Sequence, residues 1–180
     1  MNHTELFAAV TNKMSEHFNH PLLNGCLVRP MIDADKVRFL IEIFAASGHD
    51  EAEIIEYSCA VMFMQVALDT HDLVNLSEDG KEADDERQLL ILSGDYYNGL
   101  YYQILANSKQ RRLIAPLALA IKEINELKVM TRYERPGNKE MLVRTNTLLL
   151  LRLCEVFDLM ALYDEIIQFF MGSEREGVLV

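Results

Sequence analysis

The stretch EAEIIEYSCAVMFMQVALDTHDLV, residues 51 to 74, decides the fold. Its opening turns are amphipathic, and from Cys59 to Leu68 it is apolar nearly all round, as a helix enclosed by other helices must be. It reads as the central helix of an all-α protein. At its far end His71 and Asp72 are followed by Leu73, Val74, Asn75 and Leu76. That end is either an ordinary helix terminus reaching solvent or the edge of a metal site.

Upstream, Asp33 is placed to cap ADKVRFLIEIFAA, in which Val37, Leu40, Ile41 and Phe44 share a face. Ser47-Gly48 closes that helix, and Asp50 can cap the central one. Downstream, NLSEDGKEADDE reads as an acidic loop before RQLLILSGDYYNGLYYQILANS, where Gly94 marks a kink or a close helix crossing. The next helix, KQRRLIAPLALAIKEINELKVMTRYE, repeats apolar residues at Ile114, Leu117, Ile121, Ile124 and Leu127. It tolerates Pro116 near its first turn and ends at RPGN, residues 135 to 138. From Lys139 to about Met171 the chain forms one long helix, or two broken near Phe157-Asp158. A tail from about 172 to 180 is expected to fray. With 8 Gly and 4 Pro, no strand pattern and no long repeat, the chain predicts an antiparallel helical bundle.

A chain of 180 residues, 50% of them hydrophobic, can bury a full core, so residues 1 to 180 are expected to be one domain. The net charge of -11 repels phosphate backbones and anionic headgroups, which argues against nucleic acid as a partner. MNHTELFAAV lacks the basic and apolar regions of a signal peptide, and no uncharged apolar run approaches the ~20 residues a bilayer needs. A cytoplasmic protein without stable membrane insertion is expected. Cys26, Cys59 and Cys154 are widely spaced among apolar neighbours and suit a core better than a disulfide or a metal knuckle.

The candidates for chemistry each have a plain structural alternative. His71 and Asp72 are adjacent, so on a helix their side chains diverge by about 100° and cannot chelate one ion unaided. His-Asp doublets do serve metal-dependent phosphohydrolases when a further His and Asp complete the set, and His49 and Asp158 are available. Tyr96, Tyr97, Tyr101 and Tyr102 suit either a core edge or an interface, since Tyr joins an apolar ring to a hydroxyl that needs a partner. Arg111-Arg112 can bind a diphosphate or simply face water. SEDGKEADDE lacks the oxygen-ligand spacing of a calcium loop.

Three pieces in order resemble the trans-prenyl diphosphate synthases. QVALDTHDLVN resembles the helix end written there as HDDxxD, ILSGDYYNGLYYQILA the following helix with its Ala-Gly-Asp opening, and MLVRTNTLLLL the later Lys-Thr pair with its apolar run. NGCLVRPMI lies where the catalytic family has GGKRxRP. The resemblance spans about Gly25 to Glu165 and implies a helical bundle of the isoprenoid synthase type, shortened at the C-terminus. It also departs from the catalytic pattern. Only Asp72 remains of the first aspartate-rich motif, and each carboxylate lost near an ion forfeits about 4 kcal/mol of attraction at an effective dielectric near 20. Cys26 and Leu27 replace the Lys-Arg pair, acids stand where an Arg pair should follow, and Asp158 and Asp164 do not rebuild the second motif.

A prenyl synthase without catalytic machinery is similar to the small subunits, component 1, of two-component heptaprenyl or hexaprenyl diphosphate synthases. The resemblance implies a large catalytic partner carrying both aspartate-rich motifs and Mg²⁺, with no cofactor in this chain. That pair would elongate farnesyl diphosphate with isopentenyl diphosphate for the menaquinone side chain. It further implies a partner interface over about 87 to 107 and 109 to 133, holding Gly94, Asp95, Tyr96, Tyr97, Tyr101 and Tyr102, and contact with the growing prenyl chain. Asp72, Arg144 and Thr145 would be vestigial diphosphate-site positions, or in the case of Arg144-Thr145 the polar edge of a long helix. An HD-type phosphohydrolase and a helical homodimeric interaction protein remain as alternatives.

Overall fold

The computed structural model describes residues 1–19, 31–74, 81–133 and 139–173. They form seven α-helices and one short 3-10 turn, and no strand among the described residues. The all-α expectation holds. The chain divides into two compact units, Met1–Lys109 and Gln110–Val180.

The first unit contains α1 (His3–Phe18), α2 (Ala34–Ala46), α3 (Glu51–Leu73) and α4 (Lys81–Asn107). Helix α3 packs against each of the other three, and every residue from Tyr57 to Leu68 is buried. Burial on all sides over three turns explains why its sequence carries no polar face there. Helix α1, not among the helices expected above, repeats Leu6, Val10, Met14 and Phe18 at four-residue spacing, and its start is marked too: the Asn2 side chain accepts from the Glu5 N–H at 3.0 Å and the Glu5 carboxylate accepts from the Asn2 N–H at 2.8 Å. This capping box satisfies two donors that a helix start leaves unpaired. Val10 and Met14 then bury fully, and Phe18 sets its edge against Phe63 and Tyr97.

Asp33 and Asp50 cap α2 and α3 as the sequence predicts, Asp33 accepting from the Asp35 and Lys36 amides and Asp50 from the Glu53 amide. Gly48 closes α2 with a φ of 79°, and the His49 and Gly48 N–H groups reach back to the Phe44 and Ala45 carbonyls. That is a Schellman closure, in which glycine takes the left-handed position without a Cβ penalty.

Helix α4 begins earlier than expected. Residues from Lys81 onward are helical, whereas the sequence reading kept the loop through Glu86. Acids near a helix N-terminus complement its dipole, and Arg87 bonds Asp84 at 3.2 Å one turn back, so an acidic run is no bar to helix here. The rest of that loop, with Asn75 and Leu76, lies outside the described residues, as do Cys26, Leu27, RPGN and the tail from 174.

The second unit has a 3-10 turn (Arg111–Leu113) leading into α5 (Ile114–Tyr133), then α6 (Lys139–Phe157) and α7 (Met160–Ser173). Helix α6 packs against α5 and α7 and buries an unbroken apolar run from Leu148 to Leu151. Of the two alternatives for residues 139 to 171, the structure shows the pair of helices broken near Phe157-Asp158. Asp158 adopts a φ of 57°, and the Leu159 and Asp158 N–H groups bond the Cys154 and Glu155 carbonyls, a second Schellman closure with aspartate where α2 has glycine.

Candidate functional site

At the C-terminal end of α3 the His71 ring lies flat on Gly94 of α4. A Cβ at Gly94 would fall 2.6 Å from His71 Cε1 and 2.7 Å from Nε2, closer than side chains tolerate. Gly94 therefore marks a close helix crossing. His71 Nε2 is 3.6 Å from Asp95 Oδ1, and both side chains reach solvent. Asp72, next in sequence, is exposed on another side, and Asp69 accepts from Gln65 Nε2 at 2.8 Å.

Among the described residues, Asp72 is followed by two aliphatic side chains. Mg²⁺ needs an octahedron of oxygens, and Leu73 and Val74 supply none. Among the described residues no group of three or more His, Cys, Asp or Glu side chains is placed to hold a metal. The set His49, His71 and Asp72 is also not brought together. His49 sits before α3 begins, its Nδ1 bonded to the Phe44 carbonyl and its ring edge-on to Phe44 and Tyr57. His71 lies 20 residues beyond Glu51, roughly 30 Å away at 1.5 Å per residue. One ion cannot span the two.

The candidate interface residues of α4 divide between two faces. Tyr97 is 1% and Tyr101 0% exposed, and both belong to the core of their own unit. Tyr97 stacks on Phe63 with ring centroids 6.4 Å apart, while Tyr101 packs against Tyr102. Burial pushes the Tyr101 phenol well above its ordinary pKa, and its hydroxyl has no hydrogen-bond partner among the described residues. Tyr96 is half-buried, Asp95 is exposed, and Tyr102 is 42% exposed.

Ile91 and Leu92, which the sequence reading did not single out, share the outward side, Leu92 at 61% exposure. With Asp95, Gly99, Tyr102 and Ala106 they form a stripe at three- and four-residue spacing on the exposed face of α4. The signal was present in the run Leu89 to Leu92. Four consecutive apolar residues cover about 300° of a helix, so they cannot all point inward.

Arg144 and Thr145 belong to the second unit. Arg144 donates from Nε and Nη2 to Glu123 Oε1 at 3.1 and 2.7 Å, and Arg152 reaches Glu123 Oε2 at 3.3 Å. This hydrogen bonding raises the Arg144 pKa further, and Thr145 bonds the Met141 carbonyl one turn back. Both residues are engaged within α5 and α6. Leu119 stands on the exposed side of α5 at 61%.

The described elements are thus all helical, with Arg144 of the second unit bonded to Glu123 of the same unit. Residues 20–175 match the family described as heptaprenyl diphosphate synthase subunit 1, and the chain belongs to that family. Over 85 residues it is 47% identical to the heptaprenyl diphosphate synthase component 1 of Geobacillus stearothermophilus, a match covering 47% of this chain and 36% of that protein. The chain thus spans about a third of the length of the curated relative it matches. No solved structure matches it. Among the described residues no helix is long and apolar enough to cross a membrane.

Proposed function

We propose that this chain is the non-catalytic subunit of a two-component heptaprenyl or hexaprenyl diphosphate synthase. It supports a large catalytic component that holds Mg²⁺ and condenses farnesyl diphosphate with isopentenyl diphosphate, supplying the side chain of menaquinone. The observation that carries this reading is the end of α3, where Asp72 is followed by Leu73 and Val74, side chains that offer a diphosphate-bound metal neither ligand nor charge.

The role left to such a chain is recognition. Its outward α4 stripe of Ile91, Leu92, Asp95, Gly99 and Tyr102 meets the catalytic component, with the exposed Leu119 of α5 as a further contact. Aromatic and large aliphatic anchors around a small central residue suit a helix-on-helix interface. By completing the assembly the subunit shapes the apolar wall along which the prenyl chain grows, and so influences product length.

Co-expression with the catalytic component, followed by copurification, a prenyl-transfer assay and product analysis, tests the proposal. A stable complex is expected, with product length set only when both chains are present. A catalytic component that alone is fully active with unchanged product length would refute it. Stoichiometric metal and phosphatase activity in the isolated chain would point instead to a phosphohydrolase.

A further inference from the structure

We draw no further inference here: the strongest candidate, the exposed apolar stripe of α4 formed by Ile91, Leu92 and Tyr102, belongs to the partner-facing surface already proposed, and nothing in the structure shows what else covers it.

Discussion

The two faces of α4 place the same residue types in opposite surroundings. On the inner face Tyr97 and Tyr101 are wholly enclosed, Tyr97 between Phe18 and Phe63. On the outer face Tyr102, one residue from Tyr101, leaves two fifths of its surface in solvent, about three turns along the same helix from the exposed Leu92 and Ile91. Residue type alone does not separate a core tyrosine from an exposed one; angular position on the helix does. The difference predicts that inner substitutions act on stability and outer ones on association.

The largest effect is expected on the inner face. Tyr97→Ala removes a ring stacked in the core and should cost about 3–5 kcal/mol, as large-to-small aromatic truncations do. Urea unfolding of the isolated chain would show this as a lowered midpoint at unchanged slope. A loss below about 1 kcal/mol would mean that Tyr97 is not core.

The outer face should behave differently. Leu92→Ala should leave the unfolding free energy within about 0.5 kcal/mol of wild type, and Tyr102→Ala, which gives up its ring contact with Tyr101, should cost about 1 kcal/mol. Each should nevertheless weaken binding to the catalytic component by roughly tenfold, the cost of a lost interface anchor. Calorimetric titration checks the second statement, and unchanged affinity in both variants would remove this face from the interface.

The crossing between the faces gives a sign reversal. Gly94→Ala gains about 1 kcal/mol of helix propensity but drives a methyl into the His71 ring, an overpacking cost of about 1–3 kcal/mol. A net loss is expected. In a His71→Ala background the clash is gone, so the same substitution should become stabilising by about 1 kcal/mol. Equal effects in both backgrounds would contradict the close crossing, because a double-mutant cycle reads the contact directly.

Two smaller effects test the frame around α4. Asp158→Gly should stabilise the second unit by about 1 kcal/mol, the approximate cost of a left-handed non-glycine residue, read as a higher Tm. His17, set edge-on to Phe63, has its pKa lowered below the ordinary 6.5, chiefly by burial, with nearby Lys13 acting in the same direction and Glu16 opposing. A histidine whose folded pKa is depressed gives stability that is present above about 6.5 and lost as pH falls through the folded value, since the unfolded chain binds the proton more readily. His17→Gln should therefore lose less stability than wild type between about pH 7.5 and about pH 5.5. Identical losses would exclude His17 as a source of that pH dependence.

Much of the frame was legible because the signals were local. Asp33, Gly48 and Asp50 marked helix ends through backbone chemistry that acts within four residues, and the run from Cys59 to Leu68, apolar but for Gln65, marked the enclosed helix. Helix α1 carried its signal in the Asn2–Glu5 capping pair and in the four-residue spacing of Leu6, Val10 and Met14, and the early start of α4 was hidden because an acidic run resembles a loop. The site was harder to read. Which of Tyr96, Tyr97, Tyr101 and Tyr102 faces outward depends on how α4 rolls against α3, which the Gly94–His71 contact fixes and no short window of sequence contains. The engagement of Arg144 by Glu123 joins residues 21 apart in the chain, on different helices.

The most direct test is a titration of the catalytic component's prenyl-transfer activity with this chain and with a folded Leu92→Asp, Tyr102→Ala variant. The wild-type chain should activate to saturation and yield no product by itself with Mg²⁺ present, while the variant should need at least about tenfold more protein for the same rate. A variant that activates as well as wild type, or an isolated chain that turns over both diphosphates, would contradict the account.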